Sequence, residues 1–247
     1  MRNRFILRLL ERIKLDSLAV ELHDGTWLSN RKVQHQPLKI PPARLIRQVV
    51  ATADAHIFLW SGRLTVTRIL DLLHAGRVRL DEMSAILDFG CGAGRLSRYF
   101  CMLGEDKKIF GCDVDPNFIA WCQANLPGTF TVNSASNLPF TDGQFDLVIS
   151  YSVFTHILPD QQIPWFLEIA RTLRPGGTLV FSTHGVNDIY SSPHATVVQR
   201  RKYERGEIVS TMVPNGNRDS LPWFFCDTYH PPGAVERYAA SSGVFEH

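Results

Sequence analysis

The run Asp88-Phe-Gly90-Cys91-Gly92-Ala-Gly94-Arg95 gathers three glycines and a carboxylate into one short segment. Glycines are needed where a backbone turns sharply and must approach a ligand with no Cβ in the way. A nucleotide-shaped ligand is implied. The dinucleotide fingerprint G-x-G-x-x-G would set a small residue at position 95, but Arg95 stands there and the third glycine falls one place early at Gly94. A dehydrogenase is therefore disfavoured. Asp88 beside the loop suits a ligand that presents an ammonium group more than one that presents a pyrophosphate. Asp113, 23 residues after Gly90, is spaced to accept hydrogen bonds from both hydroxyls of a ribose. Adenosine joined to an amino acid satisfies both carboxylates.

The elements that must carry these residues follow from periodicity. Five short apolar runs rich in Val, Ile, Phe or Leu read as strands: residues 85–90, 108–114, 129–134, 145–150 and 178–183. Between them, RLSRYFCML, NFIAWCQANL and IPWFLEIARTL show apolar residues at three-to-four spacing, and Arg174-Pro175-Gly176-Gly177 is expected to stop the last helix. The alternation predicts an α/β fold, a doubly wound and mostly parallel sheet. Residues 1–80 read as an N-terminal helical cap and 81–247 as the main domain. In the cap, one helix is expected over the first 14 residues and another from Pro42 to Trp60, with a break at Ser61-Gly62 before RLTVTRILDLLHAG. After Gly185 regularity fails, and residues 186–230 are expected to form an irregular lid over the site. Pro231-Pro232 start a short helix, and Val244-Phe245-Glu246-His247 begins a last strand whose hairpin appears incomplete.

ILDFGCGAGRLS, FGCDVDP, LPFTDGQFDLVISYSVFTHI and LRPGGTLVFSTHG, taken in order over residues 85–185, resemble the successive motifs of the class I S-adenosylmethionine-dependent methyltransferases. The phrases SVFTH and THG are similar to those of bacterial enzymes that act on sugars, glycolipids or natural products. The resemblance implies a Rossmann-like fold, S-adenosyl-L-methionine as cofactor with S-adenosyl-L-homocysteine as product, and methyl transfer to an O or N atom of a small-molecule acceptor. It implies that Gly90, Cys91 and Gly92 touch the methionine part, with Asp88 and Gly94 in the same loop, Asp113 the ribose and Val114 an adenine face. Many relatives hold the adenine amino group with an aspartate before the LPF phrase. This chain has Ser134 there, so that contact falls to Ser134 or to the backbone at Ala135. Ser150, ending the fourth strand, completes the cofactor-binding set.

Methyl transfer is displacement at a carbon already activated by positive sulfur, so alignment does most of the work. A hydroxyl acceptor gains from a general base, whereas an amine or carboxylate needs none. His184, at the mouth of the fifth strand, and His156, just past the fourth, are the candidates, because ligands bind beyond the carboxyl ends of such strands. Tyr190, His194, Tyr229 and His230 are placed in the lid. The alternative is a catalytically silent cofactor-binding or partner module with the same fold.

Composition narrows the setting. The 247 residues are 45% hydrophobic with no run long enough for a membrane span, and the five cysteines include no C-x-x-C pair. Neither a disulfide framework nor a metal site is expected, and a cytoplasmic location fits. The net charge of +2 divides into +8 over residues 1–80 and −6 over the rest. Base-amino methyltransferases carry Asn/Asp-Pro-Pro-aromatic after strand four, where Ser150-Tyr151-Ser152-Val153 stands here, and no cysteine follows a proline as a cytosine-C5 nucleophile would. No nucleic-acid partner is expected. For residues 1–15, with Phe5, Ile6, Leu9, Leu10 and Ile13 opposite Arg4, Arg8, Arg12 and Lys14, three fates stay open: docking on the domain, pairing in a homodimer, or peripheral membrane contact.

Overall fold

The computed structural model describes residues 3–6, 38–104, 106–134, 137–212 and 226–246. It forms two units, one of Met1–Glu11 with Asn133–His247, the other of Arg12–Val132. The first element corrects the expected amphipathic helix. Residues Asn3–Ile6 are a strand, β1, pairing in parallel with residues 178–180 (Arg4↔Thr178, Phe5↔Leu179, Ile6↔Val180). An open sheet edge offers a row of N–H and C=O groups that need partners, and a short helix alone in water is marginal, so strand pairing prevails over helical spacing. Residues 1, 2 and 7–14 of that expected helix lie outside the described residues.

The Arg12–Val132 unit holds the glycine loop. Helix α1 (Ala43–Val50) ends where Ala51 takes a left-handed conformation (φ 58°), and α2 (Ala55–Ala75) starts at Asp54, whose carboxylate accepts from the amides of His56 and Ile57. The expected break at Ser61-Gly62 is absent. Capping by Asp54 moves the interruption ten residues earlier, and Gly62 sits inside α2 because a Cβ there would lie 2.5 Å from the carbonyl of Arg95. Strands β2 (Ala85–Phe89), β3 (Lys108–Asp113) and β4 (Thr129–Val132) are parallel in the order β4-β3-β2. Helix α3 (Ser97–Phe100) follows the glycine loop, and α4 (Pro116–Asn125), capped by Asp115, packs Ile119, Cys122 and Leu126 against Cys91 and Phe130. Leu45, Ile46 and Phe58 of α1 and α2 bury against Ala93, so the two front helices form the floor of the loop.

In the second unit, β5 (Phe145–Ser150) is buried throughout and runs parallel to β6 (Leu173–Phe181). Arg174 to Gly177 does not merely end a helix, as expected. It lies within β6, where the register jumps from Phe145↔Leu173 to Leu147↔Thr178, a bulge made by the turn residues. Helix α5 (Pro159–Thr172) covers this pair, stacking Phe166 on Phe154 at 4.7 Å and packing it against Phe181 at 5.4 Å. The segment expected to be irregular contains α6 (Val186–Ser191), α7 (Val197–Glu204) and an antiparallel pair, β7 (Val209–Met212) with β8 (Cys226–Tyr229). Ile189, Ala195, Tyr203, Val209 and Tyr229 give it a small core. Helix α8 (Ala234–Ser242) leads to β9 (Phe245–Glu246), which pairs with β1, giving the order β5-β6-β1-β9. The fold is α/β, doubly wound and mostly parallel. Among the described residues, no helix is long and apolar enough to cross a membrane.

Candidate active site

The glycine loop is fastened to the end of β3. Gly90, Gly92 and Gly94 take left-handed conformations (φ 75°, 52° and 72°) that side chains disfavour. Gly90 and Cys91 both donate their amides to the carbonyl of Cys112, and Gly92 donates to Oδ2 of Asp113 at 2.9 Å. The other Asp113 oxygen accepts the amide of Asp115 at 2.9 Å. Burial pushes the Asp113 carboxyl up, opposed by these amides. A carboxylate so held keeps lone pairs for two further donors, which is what a ribose requires. Val114 beside it is 42% exposed and offers a flat apolar surface.

Asp88 is 2% exposed and accepts from the hydroxyl of Ser97 at 2.6 Å. Its burial raises the carboxyl to about 6, with the Ser97 hydroxyl and Arg95 opposing. A buried, partly protonated acid is the group that a cationic ligand would stabilise as an anion. All five cysteines are free and buried, Cys101 being pushed up to about 12 by burial, so Cys91 and its neighbours serve as packing rather than as nucleophiles.

In the second unit, the buried polar atoms without a hydrogen-bond partner among the described residues include Oγ of Ser150 at the end of β5, Oγ1 of Thr183 just past β6, Nδ1 of His184 and Oδ1 of Asn133. Most buried polar atoms in proteins are paired, so orphans at the carboxyl ends of the strands are groups that a ligand could satisfy. Asn133 was not among the residues singled out from sequence, because nothing in its local spacing distinguishes it. Ser134 is exposed and bonds to Asn137 (Oγ to Oδ1, 2.7 Å); Ala135 lies outside the described residues.

Ser152 follows β5 with φ 62°, unusual for a residue with a side chain, and its amide is held by the Ser182 hydroxyl at 2.7 Å. Such strain clusters at functional sites. It turns the chain into a 3-10 turn, Phe154–His156. There His156 Nδ1 lies 2.8 Å from the carbonyl of Cys226 and 3.6 Å from the carboxylate of Asp227. The His184 ring stands edge-on to that of His156, 6.0 Å between centroids, and 5.7 Å from Tyr229. Asp227 is a second residue that sequence reasoning missed. Of the other lid candidates, His230 is buried and bonded to Gln162, Tyr190 bonds to Glu204 on the surface, and His194 is exposed. Tyr190 and His194 do not join the pair of histidines, whereas the His230 amide donates to the His184 carbonyl at 2.8 Å.

Residues 87–181 match the family described as "Methyltransferase domain". Over this segment, a little more than a third of the chain, the sequence matches a methyltransferase domain. The glycine loop, Asp88 and Asp113 have the backbone freedom and the acceptors that S-adenosylmethionine would need. The domain is 38% identical over 101 residues to a phthiotriol/phenolphthiotriol dimycocerosates methyltransferase of Mycobacterium leprae, covering 39% of this chain and 36% of that protein. It is 30% identical over 117 residues to a fatty-acid O-methyltransferase of Mycolicibacterium smegmatis, covering 46% and 42%. A mouse tRNA (carboxymethyluridine(34)-5-O)-methyltransferase, ALKBH8, matches at 27% over 62% of this chain and 20% of its own. The matched regions therefore span less than half of each of these relatives. A crystal structure of a SAM-dependent methyltransferase from Methanosarcina mazei shares the fold, with TM-score 0.50, 21% identity, and coverage of 65% of this chain and 79% of that one.

Proposed function

We propose that the chain transfers a methyl group from S-adenosylmethionine to an O or N atom of a small-molecule or lipid acceptor. The observation that carries this reading is the glycine loop tied to Asp113, a cradle whose three left-handed glycines and buried carboxylates match one amino-acid-bearing adenosine. Bound there, S-adenosylmethionine supplies a methyl carbon made electrophilic by its sulfonium. Gly90, Cys91 and Gly92 line the methionine part and Asp113 takes the ribose hydroxyls, while Asn133 and Ser134 serve the adenine edge. Ser150 and Thr183, with orphaned hydroxyls at the ends of β5 and β6, are the polar groups offered to ligand in the second unit. The base, where the acceptor needs one, comes from His156 or His184.

Two of the three relatives above support a small or lipidic acceptor, being named for phthiotriol/phenolphthiotriol dimycocerosates and for fatty acids. The third is named for tRNA, so RNA belongs in the test. Titration calorimetry with S-adenosylmethionine, S-adenosylhomocysteine and NAD decides the cofactor. Radiolabelled methyl transfer into separated lipid, polar-metabolite and tRNA fractions decides the acceptor. Tight S-adenosylhomocysteine binding with label in the lipid or metabolite fraction is expected. Binding without transfer into any fraction would leave a silent module, and NAD binding alone would refute the reading.

A further inference from the structure

The turn carrying His156 and the strand β8 hold each other at four points. His156 Nδ1 meets the Cys226 carbonyl at 2.8 Å, the Cys226 thiol donates back to the His156 carbonyl at 3.3 Å, the Thr228 hydroxyl donates to the Ile157 carbonyl at 3.0 Å, and Asp227 Oδ1 lies 3.6 Å from Nδ1. Three of these contacts involve backbone, so the ring is located by the chain path on both sides. A carbonyl only accepts, hence Nδ1 must carry the proton in the neutral ring, and Nε2 is then the nitrogen with the lone pair.

We propose that Asp227, with the Cys226 carbonyl, is a positioning residue that fixes His156 in the Nδ1-protonated tautomer and makes its Nε2 the proton acceptor for methyl transfer. The proposal rests on the methyl-transfer reading above and chooses His156 over His184. The side chains of His156 and Asp227 are 27% and 25% exposed, open enough for a ligand to reach and shielded enough for the carboxylate to be felt. As an acceptor hydroxyl attacks the methyl carbon, its proton passes to Nε2, the new O–C bond forms, and the C–S electron pair returns to sulfur. The imidazolium left behind faces Asp227, and it gives its proton to solvent after release. A hydroxyl gains most from this arrangement. The groups facing His156 are Asp227 and the Cys226 carbonyl from β8, and the His184 ring from the segment after β6.

The test needs no knowledge of the acceptor. Long-range ¹H–¹⁵N histidine spectra of the full chain, assigned with His156→Gln, are recorded from pH 5 to 8.5 for wild type and Asp227→Asn. The expected result is an Nδ1–H signature for neutral His156 and a titration midpoint lower by about one pH unit in Asp227→Asn, the low end for a neighbouring charge because the pair is partly exposed. An Nε2–H signature in wild type would overturn the proposal, and that observation depends on no variant. So would an unmoved midpoint in an Asp227→Asn protein whose circular dichroism matches wild type. S-adenosylhomocysteine titrated into the same wild-type sample separates the two readings. Absence of binding sinks the methyl-transfer reading and the proposal with it, whereas binding combined with an Nε2–H signature sinks the proposal alone.

Discussion

The backbone amide of Gly92 donates to the Asp113 carboxylate at 2.9 Å across 21 residues of sequence, so the residue assigned to the ribose also pins the loop assigned to the methionine. Asp113→Ala therefore removes two charge-assisted bonds to the ligand, each worth roughly 1.5 to 3 kcal/mol before compensation, and leaves the Gly92 amide without its acceptor. Affinity for S-adenosylhomocysteine should fall at least tenfold by calorimetry. Asp113→Asn keeps one carbonyl oxygen and should lose less. Unchanged affinity in folded Asp113→Ala would show that the cofactor lies elsewhere.

Gly94 tests the loop from its packed side. A Cβ there would stand 2.3 Å from Cδ1 of Leu126 and 3.3 Å from Sγ of Cys122, at φ 72°. Left-handed strain and overpacking together make Gly94→Ala cost about 2 to 4 kcal/mol in urea unfolding. Adding Leu126→Ala vacates the space, so the double mutant should be more stable than the two single effects predict by at least about 1 kcal/mol. Strict additivity would mean that the loop shifts away instead, and the glycine would then not be required for packing.

What was legible in the sequence is what local chemistry decides. The strand ends at Asp88, Asp113 and Ser150 could be placed because short β-branched runs and glycines announce a turn within a few residues. The break between α1 and α2 was misplaced because Gly62 looks like punctuation, while the interruption at Ala51 rests on capping by Asp54. Gly62 is a glycine for the sake of Arg95, a reason visible only once both are folded. The same holds at the site. His156 could be named, but its partners at 226 and 227 lie 70 residues away in a stretch of weak periodicity. Residues 3–6 failed for another reason: Phe5 and Ile6 suit either period, and the open edge of β6 decides between them.

Arg171 stitches the segment after Ser134 to α5. Its guanidinium donates to the carbonyls of Leu138 (3.2 Å) and Phe140 (2.9 Å), to Asp142 (2.7 Å) and to both oxygens of Glu168, which in turn accepts the amide of Leu138 at 2.7 Å. Arg171 holds the Glu168 carboxyl below its usual range. Arg171→Ala should cost about 2 to 3 kcal/mol in urea, since Glu168 and two carbonyls lose partners together. Arg171→Lys should recover less than half, because a single ammonium cannot replace a planar fork. Hydrogen exchange at Leu138 reads the same event locally. Protection there that survives Arg171→Ala would count against the stitch.

His230 gives the protein an acid-sensitive interior. It is 1% exposed, bonded to Gln162, and burial pushes its ring down to about 3, with His184 adding a smaller repulsion. In the unfolded chain a histidine takes its proton near 6.5. Between those values the unfolded state binds the extra proton, so stability falls as pH falls below about 6.5, by about 1.4 kcal/mol per unit. Asp88 works in the opposite sense: its folded carboxyl, raised to about 6, keeps a proton that the unfolded chain releases, so its contribution is lost as pH rises from about 4 to about 6. The two slopes partly cancel in the wild type, and the difference from a non-titrating variant is the quantity to read. From pH 7 to pH 5, wild type should lose about 2 kcal/mol more unfolding free energy than His230→Asn, measured by urea titration at each pH. Parallel curves would mean that His230 is protonated in the folded state, and that Gln162 accepts rather than donates across that bond.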